Sequence, residues 1–166
     1  MSQRRILIII GGGIAAYKSL ELVRLCAKAG IASRAILTAA GKHFVTPLSL
    51  AALTEDKVYE DLFNLTDESE MGHIELSRSA DLIVVSPATA DLIAKAANGL
   101  ANDLASTTIL ATDKPVLYAP AMNVRMWDHP ATQANIATLK ARGALFVGPN
   151  EGAMACGEFG YGRLSE

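Results

Sequence analysis

The chain has 166 residues, 51% hydrophobic and 19% charged, and its 15 basic and 17 acidic side chains give a formal charge of -2. That apolar fraction excludes intrinsic disorder, and the length suits one domain, 1–166, with a single core. No dense Lys/Arg run is present, which argues against a nucleic-acid partner, and the apolar run Ile6 to Ile10 is far short of the roughly 20 residues a bilayer demands. Arg4 and Arg5 precede that run, but glycines interrupt it where a signal peptide would continue, so a cytoplasmic protein is expected. Cys26 and Cys156 form neither a disulfide framework nor a zinc quartet, and no metal is expected.

In chain order, β-branched apolar runs predict buried strands over Arg5 to Ile10, Ser33 to Leu37, Leu82 to Ser86, Val116 to Tyr118 and Leu145 to Val147. Helical spacing predicts helices over Ile14 to Lys28 (with Cys26 as a small core residue), Pro47 to Leu53, Thr89 to Ala97, Leu104 to Ala111 and Thr132 to Ala141. The alternation implies an open, doubly wound α/β parallel sheet with helices on both faces. Two stretches resist the scheme: Asp56 to Gly72, and Gly148 to the end with its five glycines. Long irregular segments in a compact domain are usually functional, and the second reads as a flap able to close over a ligand.

Three turns fall at expected strand ends, where open α/β sheets bind ligands. Gly11-Gly12-Gly13-Ile14-Ala15-Ala16 brings backbone amides and a helix N-terminus to one place, as phosphate binding requires. A dinucleotide reading would need an acid at the second strand end, where Leu37-Thr38-Ala39-Ala40 stands instead, so a mononucleotide such as FMN suits the turn better than NAD. The alternative reading of the glycines is a tight βα connection. Ser86-Pro87-Ala88-Thr89-Ala90-Asp91 is either a second ligand turn or a helix cap. Pro120 to Trp127 holds an Asn that can donate and accept hydrogen bonds, or a core-packing loop with a capping Asn. His73 alone reads as a surface or capping residue, while Cys156 sits among glycines and not in a packed apolar site.

Taken together, GGGIAAYKS (11–19), GHIELSR (72–78), SPATADLIAKAANGLANDL (86–104), PAMNVRMW (120–127) and ACGEFGYGR (155–163) closely resemble the phosphopantothenoylcysteine decarboxylases. These belong to the homo-oligomeric flavin-containing cysteine decarboxylases, and the resemblance spans nearly the whole chain. It implies a Rossmann-like, flavodoxin-like three-layer subunit that binds FMN and assembles as trimers or as a dodecamer of trimers. It also implies a partner activity, a phosphopantothenate-cysteine ligase domain or protein, as in bifunctional bacterial relatives. Carried over motif by motif, Gly12, Gly13, Ile14, Thr38, Ser86, Thr89, Ala90, Asp91, Leu92 and Ala121 would surround FMN. Asn123 would hold the substrate carboxylate, with Met122, Ala153, Ala155 and Cys156 completing the substrate site. His73, Asn123 and Cys156 would be catalytic.

The implied reaction converts 4'-phospho-N-pantothenoylcysteine to 4'-phosphopantetheine. A cysteine carboxylate has no electron sink, so oxidation of the side chain to a thioaldehyde by flavin must precede loss of CO₂. The resulting ene-thiolate is then reduced, with the Cys156 thiol as proton donor and His73 assisting the oxidative half. His73 is expected to approach the third predicted strand from the end opposite the ligand, and so to complete a site on a neighbouring subunit. Two features depart from the wider pattern: the first turn carries no hydroxyl among its glycines, and Asp91-Leu92 replaces the Asn-Thr of eukaryotic and peptide-modifying members. Flavin prenyltransferases, peptide cysteine decarboxylases and non-enzymatic phosphatase-regulating relatives are the rival classes. The PAMN and ACGE segments argue against the first, and the presence of His73, Asn123 and Cys156 against the last.

Overall fold

The computed structural model describes residues 3–62, 72–153 and 159–165. Strands β1 (Arg5–Ile10), β2 (Ala32–Leu37), β3 (Val58–Tyr59), β4 (Leu82–Ala88), β5 (Val116–Pro120) and β6 (Leu145–Phe146) form one parallel sheet. Its order, β3-β2-β1-β4-β5-β6, is that of a Rossmann sheet, with the reversal of direction between β1 and β4. Helices α1 (Ala16–Lys28) and α2 (Pro47–Thr54) cover one face, where Ile8, Ile10, Val23 and Leu50 pack together. The other face carries α3 (His73–Ser79), α4 (Ala90–Asn98), α5 (Leu104–Ala111) and α7 (Pro130–Ala141), whose core takes in Leu7, Ile9, Leu76, Ile93 and Ile136. Between β5 and α7 lies the short α6 (Val124–Asp128). Coverage on both sides is why β1 reads as a continuous aliphatic run and not as an alternating one.

The first helix begins at Ala16, two residues later than its periodicity suggests, because Gly13 to Ala15 form a turn in which the Gly13 carbonyl accepts from the Ala16 amide at 3.0 Å. The irregular stretch after Asp56 contains β3, too short for a period-two signal. Gly72 to Leu76 opens a helix. Beyond Gly148 the chain makes an antiparallel ribbon, β7 (Asn150–Ala153) against β8 (Phe159–Arg163), where glycines hide the alternation of a strand.

Cys26 is half-buried against the α1 and α2 core, and that burial pushes its thiol above the ordinary value, as befits a packing residue. Tyr118 on β5 stacks on Phe146 with ring centroids 5.1 Å apart, and burial pushes its phenol up to about 12. Among the described residues no helix is long and apolar enough to cross a membrane.

Candidate functional site

The carboxyl end of β1 runs directly into the glycine turn. Gly11 is clamped there: its amide donates to the Pro87 carbonyl at 3.2 Å, and a β-carbon on it would lie 2.5 Å from that same oxygen. Gly12 is held as closely, its missing β-carbon 2.5 Å from Ala40 Cβ. Gly13 differs, with φ at +155° and open space where a side chain would be. No side chain caps α1 and no acid stands in its first turn, so the partial positive charge of its N-terminus has no carboxylate to offset it.

Above this turn opens a cavity of about 440 Å³. Of the expected site residues, Gly12, Gly13, Ile14, Ala121, Met122 and Asn123 line it, together with Pro87 from the second turn. Asn123 is the N-cap of α6: its Oδ1 accepts from the Met126 amide at 2.9 Å, and the two donors of its amide nitrogen take no part in that cap. The capping and ligand-facing readings of this residue are therefore compatible, because one atom serves each.

The remaining expected residues lie elsewhere. Ser86, Thr89, Ala90, Asp91 and Leu92 are not in the cavity lining. The buried Ser86 carbonyl accepts from Ser19 Oγ on α1, Thr89 Oγ1 caps α4 by accepting from the Leu92 amide at 3.1 Å, and Leu92 is a core residue. Ala90 opens α4, and Asp91 faces solvent with its carboxylate 3.2 Å from Lys95 Nζ. Thr38 lines a separate cavity of about 330 Å³. Its hydroxyl donates to the Ile10 carbonyl at 2.8 Å and accepts from the Gly41 amide at 3.0 Å, so it ties the turns after β1 and β2 together.

His73 is the first residue of α3 and does not line the cavity. The helix α3 delivers the chain to the start of β4, where the Asp81 amide donates to the Arg5 carbonyl at 2.8 Å, and its Leu76 packs on the sheet face opposite α1. Ala153 ends β7, and Ala155 and Cys156 lie outside the described residues.

Among the cavity residues to which the sequence reading gave no role are Tyr17, Lys18, Arg163 and Leu164. Tyr17 and Lys18 follow the glycine turn by one helical turn, a spacing that could have drawn attention to them. Arg163 ends the ACGEFGYGR segment, but its strand was hidden among glycines. The ribbon is fixed to the site by the Gly162 carbonyl, which accepts from the Met122 amide at 2.9 Å.

An uncapped helix N-terminus, apolar walls from Ile14, Tyr17 and Met122, and no carboxylate among the described lining residues fit a ligand that is at once aromatic and anionic, as a flavin mononucleotide is. The family model described as Flavoprotein matches residues 1–166, and the chain belongs to that family. It is 48% identical over 166 residues to the coenzyme A biosynthesis bifunctional protein CoaBC of Haemophilus influenzae, covering 100% of this chain and 42% of that one. The Bacillus subtilis protein of the same name is 45% identical, with 100% and 41% covered. The chain thus spans about two fifths of the length of these curated relatives. A cysteine-to-serine variant of PPC decarboxylase, complexed with pantothenoylaminoethenethiol, superimposes with a TM-score of 0.85 at 31% identity, covering 99% of this chain and 92% of the other. The FMN-dependent cysteine decarboxylase TvaF from thioviridamide biosynthesis gives 0.80 at 27% identity, with 89% and 91% covered.

Proposed function

We propose that this chain is an FMN-dependent carboxy-lyase of coenzyme A biosynthesis that converts 4'-phospho-N-pantothenoylcysteine to 4'-phosphopantetheine. The observation that carries this reading is the convergence on one cavity of the glycine turn, the Pro120 to Asn123 loop and the ribbon bearing the ACGE segment. FMN supplies the two-electron acceptor that a cysteine carboxylate lacks. The turn amides at Gly12 to Ile14, ahead of α1, would meet its phosphate, and Ala121 and Met122 its apolar surface. Thr38, Ser86, Thr89 and Asp91 shape the turns around the cofactor.

Asn123 presents amide donors to the substrate carboxylate, its rotamer fixed by the α6 cap. Cys156 delivers a proton in the reductive half. His73, on the face remote from α1, serves a neighbouring subunit's cavity in a trimer, free or within a dodecamer. The protein works in the cytoplasm beside a phosphopantothenate-cysteine ligase activity, fused or separate.

The test is a visible spectrum of the purified protein followed by CO₂ release from phosphopantothenoylcysteine. Asn123→Asp should abolish substrate-dependent bleaching of the flavin, because a second carboxylate repels the substrate's own. Mixed oligomers of His73→Asn and Asn123→Asp chains should regain activity that neither parent has. Yellow protein that never releases CO₂ from this substrate overturns the reading.

A further inference from the structure

Two charged side chains are found among the described residues that line the cavity, Lys18 and Arg163, and both are cationic. They reach it from separate elements. Lys18 stands in the first turn of α1, on the fixed body of the domain. Arg163 closes β8, the strand that follows the ACGE segment, and that strand is tied to the Pro120 to Asn123 loop through Met122 and Gly162.

The ribbon also makes room for this arginine. A β-carbon at Gly152, which is buried on the opposing strand β7, would lie 3.1 Å from Arg163 Cδ and 3.2 Å from Nη1, so the side chain lies across the space that glycine leaves empty. A planar guanidinium offers paired donors that match phosphate oxygens, while an ammonium adds a point charge.

Resting on the function proposed above, we infer that Lys18 and Arg163 receive the terminal phosphate of the substrate, and that Arg163 is the residue that selects a phosphorylated pantothenoyl compound over its dephosphorylated counterpart. The cavity must accommodate two phosphate-bearing ligands with different residence. The cofactor's phosphate is served by the Gly12 to Ile14 turn at the N-terminus of α1, which has no side-chain cap. A cation carried on the ribbon, continuous with the substrate-recognition segment, is placed to meet the ligand that enters and leaves at each turnover.

The experiment titrates 4'-phosphopantothenate and pantothenate, neither of which has a cysteine to react, into the FMN-loaded protein by calorimetry. The wild-type protein is expected to prefer the phosphorylated compound by about tenfold or more, the worth of a charge-assisted contact. Arg163→Met should erase most of that preference, Arg163→Lys should restore part of it, and Lys18→Met should weaken it. Gly152→Ala should reduce it by displacing the arginine without altering its charge. Flavin retention is followed in parallel by absorbance. A preference that survives in both Met variants overturns the inference, as does a wild-type protein that shows none. Loss of FMN in step with the preference also overturns it, since the arginine would then hold the cofactor's phosphate. Failure of the wild-type enzyme to release CO₂ from phosphopantothenoylcysteine defeats the proposed function alone, because these titrations involve no turnover.

Discussion

The two turns that leave β1 and β4 lie side by side at the carboxyl edge of the sheet, joined by the hydrogen bond from Gly11 to Pro87, yet they use their polar groups in opposite ways. The turn after β1 has no capping side chain and leaves Gly13 facing open space. The turn after β4 consumes its own: Ser86 is taken by Ser19, Thr89 caps α4, and Asp91 pairs with Lys95, which also reaches Asp103 at 3.2 Å. A helix that caps itself is complete without a ligand. One that does not is completed by what binds there.

The most damaging way to break this arrangement is at the contact between the turns. Gly11→Ala places a methyl against a backbone oxygen that has no side-chain freedom to yield, and should cost about 1–3 kcal/mol in urea unfolding while sharply lowering flavin content. Unchanged flavin in that variant would mean the turns need not touch for the site to form.

Next in size is Asp103, which caps α5 through a reciprocal capping box with Ser106. Partial burial raises its carboxyl, but hydrogen bonds from the Ser106 hydroxyl and amide and from Lys95 outweigh this and hold it below the ordinary aspartate value. A depressed folded value means that this stabilisation is present above about pH 3.9 and disappears as pH falls through the still lower folded value. Asp103→Ala should cost about 1–2 kcal/mol at neutral pH and flatten that part of the acid unfolding curve.

Thr89→Ala removes the α4 cap and should cost about 1 kcal/mol, most of it recovered in Thr89→Ser. Smallest is Asp91→Asn. With the side chain 72% exposed, its ion pair with Lys95 is screened, and chemical denaturation should shift by less than about 0.5 kcal/mol. A larger effect would mean that Asp91, and not Asp103, anchors Lys95.

The sheet was legible because its central strands β1 and β4 are buried on both faces and therefore carry aliphatic runs, Ile6 to Ile10 and Leu82 to Val85. What escaped was written in residues with weak patterns. Val58–Tyr59 is too short for a period, and Gly160 and Gly162 erase the alternation of β8. The same loss hid Arg163, since a side chain's direction follows from knowing that its strand exists. His73 was visible as a residue, but its position required knowing that seven residues form a helix, in a segment where apolar spacing alone permits either an extended or a helical path.

Both outermost strands of the parallel sheet, Val58–Tyr59 and Leu145–Phe146, are only two residues long. Each rim therefore exposes a very short row of unpaired backbone donors and acceptors, too little to template another strand. The sheet does not invite growth by edge-to-edge addition, the route by which flat, long-edged sheets aggregate. Any association between copies of this chain would then run through the side chains of helices and turns, surfaces whose composition can specify a closed ring instead of an open fibre.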